Sequence, residues 1–146
     1  MELETKVNAE DVIRKALDVY NRHDVNAYIA ILDPDYLAYE PLSPEPLKGR
    51  ETLRKVNEDL LKAFPDFEFR ILNIMTKGGL VAAECVMSGT FKGLFEFAGR
   101  TIPPTGRRFE TRIVWLVRVN SKGLLAEGRN YYYDQAGFYK QLGMKA

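Results

Sequence analysis

The last quarter of the sequence places a carboxyl, a phenol and an amide on one side of a predicted strand. Alternate residues of an extended chain point the same way, so Asn130, Tyr132 and Asp134 share one side of the segment Leu124 to Asp134. A carboxylate that aromatic neighbours partly desolvate has a raised pKa, which suits proton exchange with an enol or carbonyl. Asp134 is therefore a candidate acid/base residue. The alternative is that Asp134 caps the helix that follows.

Glu40 is another carboxylate to consider, and it ends a predicted strand (Tyr36 to Glu40) directly before a proline-rich segment. If that strand end faces a pocket, Glu40 lies beside a bound molecule. The alternative is a solvent-exposed strand end next to Pro41.

The residue counts argue against several other chemistries. His23 is the only histidine and lies in a predicted turn, and Cys85 is the only cysteine and is interpreted as a small core residue. A zinc site of the usual His/Cys kind cannot form from one such chain, and a His-assisted nucleophile would need His23 in the pocket. Zinc, triad and thiol chemistry are not expected.

Size and charge favour one domain, residues 1–146, without a polyanionic partner. Lys and Arg total 21 against 20 Asp and Glu, so no large uniform field is available for nucleic acid. The N-terminal residues are acidic and lack the apolar core of a signal peptide. The apolar runs are strand-length, well below the roughly 20 residues of a membrane span. We expect a cytoplasmic protein without a membrane segment.

Hydrophobic periodicity predicts helices first and long strands afterwards, which is typical of the α+β class. The predicted helices are Asn8 to Arg22, Tyr28 to Leu32 (closed by Pro34), a third with Leu53, Val56, Leu60 and Phe64 on one stripe, and Ala136 to Leu142. The predicted strands are Phe67 to Met75, Leu80 to Lys92, Arg107 to Asn120 and Leu124 to Asp134, after the first strand at Tyr36. Strands this long must bend, so we expect a curled sheet around the third helix, with a cavity on its concave face.

Two loops are predicted beside this sheet. Residues 41–49 contain three prolines, which is expected to prevent regular pairing. Residues Gly93 to Gly106 are long enough to act as a flap over a pocket mouth.

Four motifs carry a resemblance across nearly the whole chain: AFPDFEF from Ala63, SGTFKG from Ser88, IPPTGRRFE from Ile102, and YYDQAGFYKQLG from Tyr132. Together they resemble the SnoaL-like polyketide cyclases of the nuclear-transport-factor-two-like superfamily. The resemblance implies a cystatin-like α+β roll, in which a curved mixed sheet wraps around helices and leaves a cone-shaped pocket. It also implies ring-closing aldol or ester cyclase chemistry without metal or organic cofactor. Asp134 lies at the acidic position of the family's Y-x-D motif, which makes it the first candidate acid/base residue, ahead of Glu40.

A more distant similarity to the ketosteroid isomerases places Glu40 at their general base. The same comparison puts Ala16 and Trp115 where those enzymes have the tyrosine and protonated aspartate that hydrogen-bond the enolate oxygen. Both donors are missing, so true ketosteroid isomerase activity is not expected.

The resemblance further implies a pocket for a small apolar or aromatic carbonyl ligand, with Trp115, Tyr132, Asn130, Tyr20 and Ile113 as substrate-binding residues. The opposite face of the strand around Trp115 is a candidate homodimer surface. Two functions follow: a cofactor-independent cyclase-like or isomerase-like enzyme, with Asp134 and Glu40 as its acids, or a non-catalytic binding or dimeric interaction domain.

Overall fold

The computed structural model describes residues 7–40, 44–97 and 99–144. They form four helices: α1 Ala9–Asn21, α2 Val25–Ile31, α3 Arg50–Ala63 and α4 Gln135–Gln141. They also form eight strands: β1 Leu32–Tyr39, β2 Leu47–Lys48, β3 Glu68–Lys77, β4 Leu80–Thr90, β5 Phe95–Phe97, β6 Arg100–Ile102, β7 Arg108–Val119 and β8 Leu125–Tyr132.

Six of these strands make one curved sheet in the order β2-β1-β8-β7-β4-β3. The pairs are antiparallel except for β1 and β8, which run parallel with Tyr39 opposite Arg129. Residues that follow Tyr39 therefore lie beside residues that follow Arg129, although 90 positions separate them in the sequence. The predicted α+β class is confirmed.

Three of the four helices of the described residues, α1, α2 and α4, begin with a side-chain cap, whereas α3 begins after Gly49 without one. The Asn8 side chain accepts a hydrogen bond from the Asp11 backbone at 3.1 Å, which agrees with the predicted start of the first helix at Asn8. Asp24 caps α2 in the same way, with the Ala27 backbone donating at 3.0 Å. The second helix therefore begins at Val25, ahead of the predicted start at Tyr28, because the cap and not the first large apolar residue sets the boundary. It ends before Pro34, which lies within β1.

The two loops contain more pairing than their composition predicts. Leu47 and Lys48 pair with Ala38 and Leu37 as an edge strand, so the expectation that three prolines prevent pairing was wrong for these two residues. The prolines precede the paired positions and leave their N–H groups intact. Residues 41–43 lie outside the described part of the chain. Within the predicted flap, β5 and β6 form a short hairpin.

The inner face of the sheet alternates strictly with the outer one. Along β7, Phe109, Thr111, Ile113, Trp115 and Val117 are buried, while the residues between them are partly or fully exposed. Phe109 packs edge-on against Phe64 and Phe138, with ring centroids 5.3 and 4.8 Å apart. This aromatic packing joins α3 and α4 to the inner face of the sheet.

Candidate functional site

A cavity of about 560 Å³ lies between the inner face of the sheet and the helices. That volume is in the range of small-molecule pockets. Most of its wall is aromatic or aliphatic, with the principal contributions from Tyr20, Tyr28, Tyr36, Leu53, Leu60, Phe64, Phe67, Phe69, Met87, Phe95, Ile113, Trp115, Tyr132, Phe138 and Tyr139. Glu40, Asn57 and Asn130 are polar residues in this wall.

Glu40 and Asn130 form a pair at the point where β1 and β8 run side by side. The Nδ2 group of Asn130 donates to Oε1 of Glu40 at 2.8 Å. Asn130 in turn lies opposite Trp115 on β7. Trp115, Asn130 and Glu40 therefore form one row across the inner face, with about 4.8 Å between neighbouring strands.

Burial controls the chemistry of Glu40. Removal from water disfavours the charged carboxylate and raises the pKa of Glu40 above its ordinary value. The hydrogen bond from Asn130 acts in the opposite direction and lowers that pKa, but it does not cancel the effect of burial. The pKa of Glu40 is therefore closer to neutral pH than the pKa of an exposed glutamate. A side chain that carries protons needs such a pKa.

The phenols around Glu40 remain neutral hydrogen-bond donors. Burial raises the pKa of Tyr20, Tyr36 and Tyr132, and the nearby Glu40 carboxylate adds to each increase. The Tyr20 hydroxyl donates to Oδ1 of Asn57 at 2.9 Å. The cavity thus has tyrosine groups that can donate to an oxygen without ionising themselves.

The side chains of Trp115 and Tyr36 contact each other above Gly128, where only a glycine leaves room for both. The Trp115 side chain hydrogen-bonds to the Tyr36 hydroxyl, and both groups lie against Gly128 of β8. A Cβ atom at this glycine would overlap the Tyr36 hydroxyl and stand 2.8 Å from Nε1 of Trp115. Gly128 is therefore required by close approach.

The sequence matches the model of a known protein family. The model described as SnoaL-like polyketide cyclase matches residues 10–142. The chain belongs to the SnoaL-like polyketide cyclase family. No curated protein matches the sequence.

Solved structures similar to this SnoaL-like chain share its fold. IdmH from Streptomyces antibioticus, a candidate polyketide cyclase, is 28% identical with a TM-score of 0.74, covering 94% of this chain and 99% of IdmH. AclR from Streptomyces galilaeus, a candidate hydroxylase, is 24% identical with a TM-score of 0.76, covering 95% and 98%. A Catenulispora acidiphila protein of ketosteroid isomerase-like fold, complexed with trimethylamine, is 17% identical with a TM-score of 0.73, covering 92% and 93%. The predicted fold is confirmed, and one fold carries different activities.

The structure of the SnoaL-like chain brings most of the predicted site residues together. Trp115, Tyr132, Asn130, Tyr20 and Ile113 all line the cavity, and so does Glu40. Their roles in binding and catalysis stay predictions.

Asp134 is the predicted residue that does not join this group. It is exposed and is not among the lining residues. Its Oδ1 accepts a hydrogen bond from the Gly137 backbone at 2.8 Å and caps α4, which is the alternative considered from the sequence. Asp134 follows the end of β8 at Tyr132 and has left the strand, so the alternation that groups it with Asn130 and Tyr132 no longer applies.

The other singled-out residues have local roles. His23 lies in a turn at a φ of 61°, and its Nε2 is 2.7 Å from the Phe67 carbonyl oxygen. Cys85 is buried in the cavity wall, where burial raises the pKa of its thiol to about 11. In the described ranges no group of three or more His, Cys, Asp and Glu side chains is placed to bind a metal. No helix there has the length and apolar character to span a membrane.

Asn57 is a site residue that the sequence reasoning missed. It is buried on α3 and lines the cavity, with Nδ2 donating to the Leu53 carbonyl at 2.7 Å and Oδ1 accepting from Tyr20. The signal was present, since Leu53, Asn57 and Leu60 recur at helical spacing. An amide inside an apolar stripe is a reason to expect a buried polar partner.

Proposed function

We propose that this SnoaL-like chain is a cofactor-independent enzyme that moves protons on an enolisable carbonyl compound, with Glu40 as the proton carrier. The observation that supports this most directly is the half-buried Glu40–Asn130 pair in a mostly apolar cavity wall. The reaction class is a polyketide-cyclase-like aldol condensation, or an isomerisation or dehydration that passes through the same enolate.

In the proposed step, the Glu40 carboxylate removes a proton from the carbon next to a carbonyl. The electron pair of that C–H bond moves to the carbonyl oxygen and gives the enolate, while Glu40 becomes neutral. Because the charge passes from Glu40 to the substrate, the net charge of the cavity is unchanged. The raised pKa of Glu40 makes this transfer less uphill than it is for an exposed glutamate.

The surrounding residues support an uncharged, planar ligand. The indole of Trp115 provides a flat surface on which an aromatic ring stacks, and Ile113 and Tyr20 complete the wall beside it. The lining residues that carry charge are the carboxylates Glu40, Asp59 and Glu96. An apolar ketone or ester therefore fits this cavity better than a carboxylate ligand does.

Asp134 is proposed to act indirectly. By capping α4 it positions the helix that contributes Phe138 and Tyr139 to the cavity wall. A direct acid/base role of Asp134 stays a prediction, which the Asp134→Asn variant tests.

The experiment compares two glutamates that have the same kind of partner. Proton NMR in deuterium oxide follows exchange at the activated carbon of beta-tetralone and of ethyl benzoylacetate, with the buffer rate subtracted. Glu40→Gln is expected to lower the catalysed rate by about a hundredfold to ten-thousandfold, the usual contribution of a general base. Glu84→Gln is the control, because Nδ2 of Asn73 donates to Oε1 of Glu84 at 2.8 Å on the outer face. Equal rates for wild type and Glu40→Gln would contradict the proposal.

A non-catalytic binding domain is the second candidate, favoured by the absence of oxyanion donors at Ala16 and Trp115. It predicts tight retention of an apolar ligand and no catalysed exchange for any compound that binds. A ligand that binds in the cavity and exchanges protons only at the buffer rate would support it over the enzyme.

We further propose a homodimer through the outer face of the sheet. Val114 and Leu116 are partly exposed there, between Arg112 and Arg118 at either end of the same side of β7. Leu116→Glu is expected to convert a dimer to a monomer in sedimentation equilibrium while ligand binding persists. A wild-type monomer at high protein concentration would exclude this assembly. Location in the cytoplasm and the single-domain organisation stay predictions.

A further inference from the structure

Tyr132 presents a hydroxyl that the fold itself does not use. It lies on β8 two residues after Asn130, opposite Ile113 of β7, and it lines the cavity. Within residues 7–40, 44–97 and 99–144, none of the hydrogen bonds involves this hydroxyl. The fully buried side-chain nitrogen and oxygen atoms of those residues all have partners, so the Tyr132 oxygen is open to the cavity.

Two other tyrosines of the wall are already engaged. The Tyr20 hydroxyl donates to Asn57, and the Tyr139 hydroxyl accepts from Nε2 of Gln135 at 2.8 Å. Tyr132 is the phenol that follows Asn130 on the same strand side, at a spacing of about 7 Å for two extended residues. Tyr132, Glu40 and Asn130 line the same cavity, and Tyr132 is near enough for the Glu40 charge to act on its phenol.

We propose that Tyr132 is a further catalytic residue, whose hydroxyl donates a hydrogen bond to the enolate oxygen that forms when Glu40 removes the proton. This inference rests on the proposed function. Tyr132 would supply, from the last strand, the stabilisation of developing charge that Ala16 and Trp115 cannot give at their positions. No bond to Tyr132 forms or breaks, and its proton stays on the phenol because burial and the nearby Glu40 carboxylate favour the neutral form.

The proposal also defines a class of ligand. A phenolate resembles the enolate, since both are planar carbon frameworks with a negative oxygen. When residue 40 is neutral, the cavity should bind a phenolate more tightly than the matching methyl ether, and the Tyr132 hydroxyl should account for the difference. Glu40→Gln provides that neutral state, because the glutamine amide oxygen can still accept from Asn130.

The test measures binding by isothermal titration calorimetry in the Glu40→Gln protein at mildly alkaline pH. The probes are para-nitrophenol, which is ionised under these conditions, and para-nitroanisole, which cannot ionise. Adding Tyr132→Phe is expected to weaken para-nitrophenolate binding by about tenfold to a hundredfold, the effect of losing a hydrogen bond to a charged oxygen. Para-nitroanisole affinity should change less than about twofold. Tyr131→Phe is the matched control, since Tyr131 lies next to Tyr132 on the opposite, exposed side of β8.

Three results would overturn the assignment. The first is an unchanged affinity for para-nitrophenolate when Tyr132→Phe is added to Glu40→Gln. The second is an equal loss of affinity for both probes, which would indicate a packing role only. The third is a Glu40→Gln protein that binds para-nitrophenolate no better than para-nitroanisole. These binding measurements need no turnover, so their result can be told apart from a failure of the proposed function. The proposed function fails if proton exchange is equally fast in wild type and Glu40→Gln.

Discussion

The two faces of the sheet carry nearly the same pair of side chains in opposite surroundings. On the inner face Asn130 donates to Glu40 at 2.8 Å, and on the outer face Asn73 donates to Glu84 at the same distance. The inner pair borders an aromatic cavity, whereas the outer pair is exposed to water. Since the Asn130 bond lowers the pKa of Glu40 while burial raises it, the surroundings and not the partner make Glu40 a candidate proton carrier.

The largest effect on stability is expected at Gly128, where Tyr36 and Trp115 leave no room for a Cβ atom. Gly128→Ala would drive a methyl group into Tyr36 and Trp115, and such overpacking costs about 1–3 kcal/mol of the free energy of unfolding. Urea denaturation of the purified variants measures this loss. Ala82→Val adds bulk on the outer side of β4 and should change stability by less than about 0.5 kcal/mol. Equal losses for the two variants would show that the faces do not differ in packing.

The second prediction concerns the dependence of stability on pH. Burial raises the folded-state pKa of Glu40 above its unfolded value, so the folded protein holds this proton more tightly. Stability from this residue is present below the unfolded pKa and decreases as pH rises toward the folded pKa. Glu40→Gln should therefore unfold at higher urea concentration than wild type at neutral pH. The gain is about 1.4 kcal/mol for each unit by which the two pKa values differ.

That gain should disappear in acid, where Glu40 is protonated in both states. Glu84→Gln is the control and should show no comparable gain at neutral pH. A Glu40→Gln protein that is less stable than wild type at neutral pH would contradict the view that desolvation dominates at this residue.

The third prediction separates the partner from the surroundings. Asn130→Leu removes the donor that lowers the pKa of Glu40, so the acidic limb of the pH–rate profile should move to higher pH. The rate at neutral pH should fall by roughly tenfold at most. Asn73→Leu removes the equivalent donor from Glu84 and should leave the profile in place. Movement of the limb to lower pH would mean that Asn130 does not stabilise the carboxylate.

The smallest effect is expected at Asp134, a carboxylate that belongs to neither Glu–Asn pair. Asp134→Asn keeps a capping side chain and should change proton-exchange activity by less than about twofold, whereas Asp134→Ala should cost about 1 kcal/mol in stability. Asp24, which caps α2 through the Ala27 backbone, is the matched control for both substitutions. A hundredfold loss of exchange in Asp134→Asn, without a similar loss in Asp24→Asn, would restore Asp134 as a catalytic residue.

These contrasts also show which features the sequence could predict. A cap and an apolar stripe locate α1 within a residue at each end, and the stripe alone locates the body of α3, because both signals are local. The alternation along β7 correctly places Ile113 and Trp115 inside. The end of β8 was harder to predict from the sequence. If the strand continued for two more residues, Asp134 would point inward, and only the cap of α4 shows that the strand has ended.

The pairing of Glu40 with Asn130 had no local signal at all. It depends on the parallel register of β1 and β8, and nothing in either strand alone specifies that partner. Periodicity gives the side of a strand on which a residue lies, but neighbours across the sheet come from topology.

The adjacency of β1 and β8 has a consequence for the timing of synthesis. A ribosome adds residues in order, so the chain emerges with Glu40 long before Asn130 and Tyr132 exist. Until β8 enters the sheet between β1 and β7, the carboxyl has neither its amide partner nor a closed wall around it. On the proposed function, a chain that stops before β8 therefore lacks a complete acid/base site, because the partner and the wall of Glu40 come from that strand.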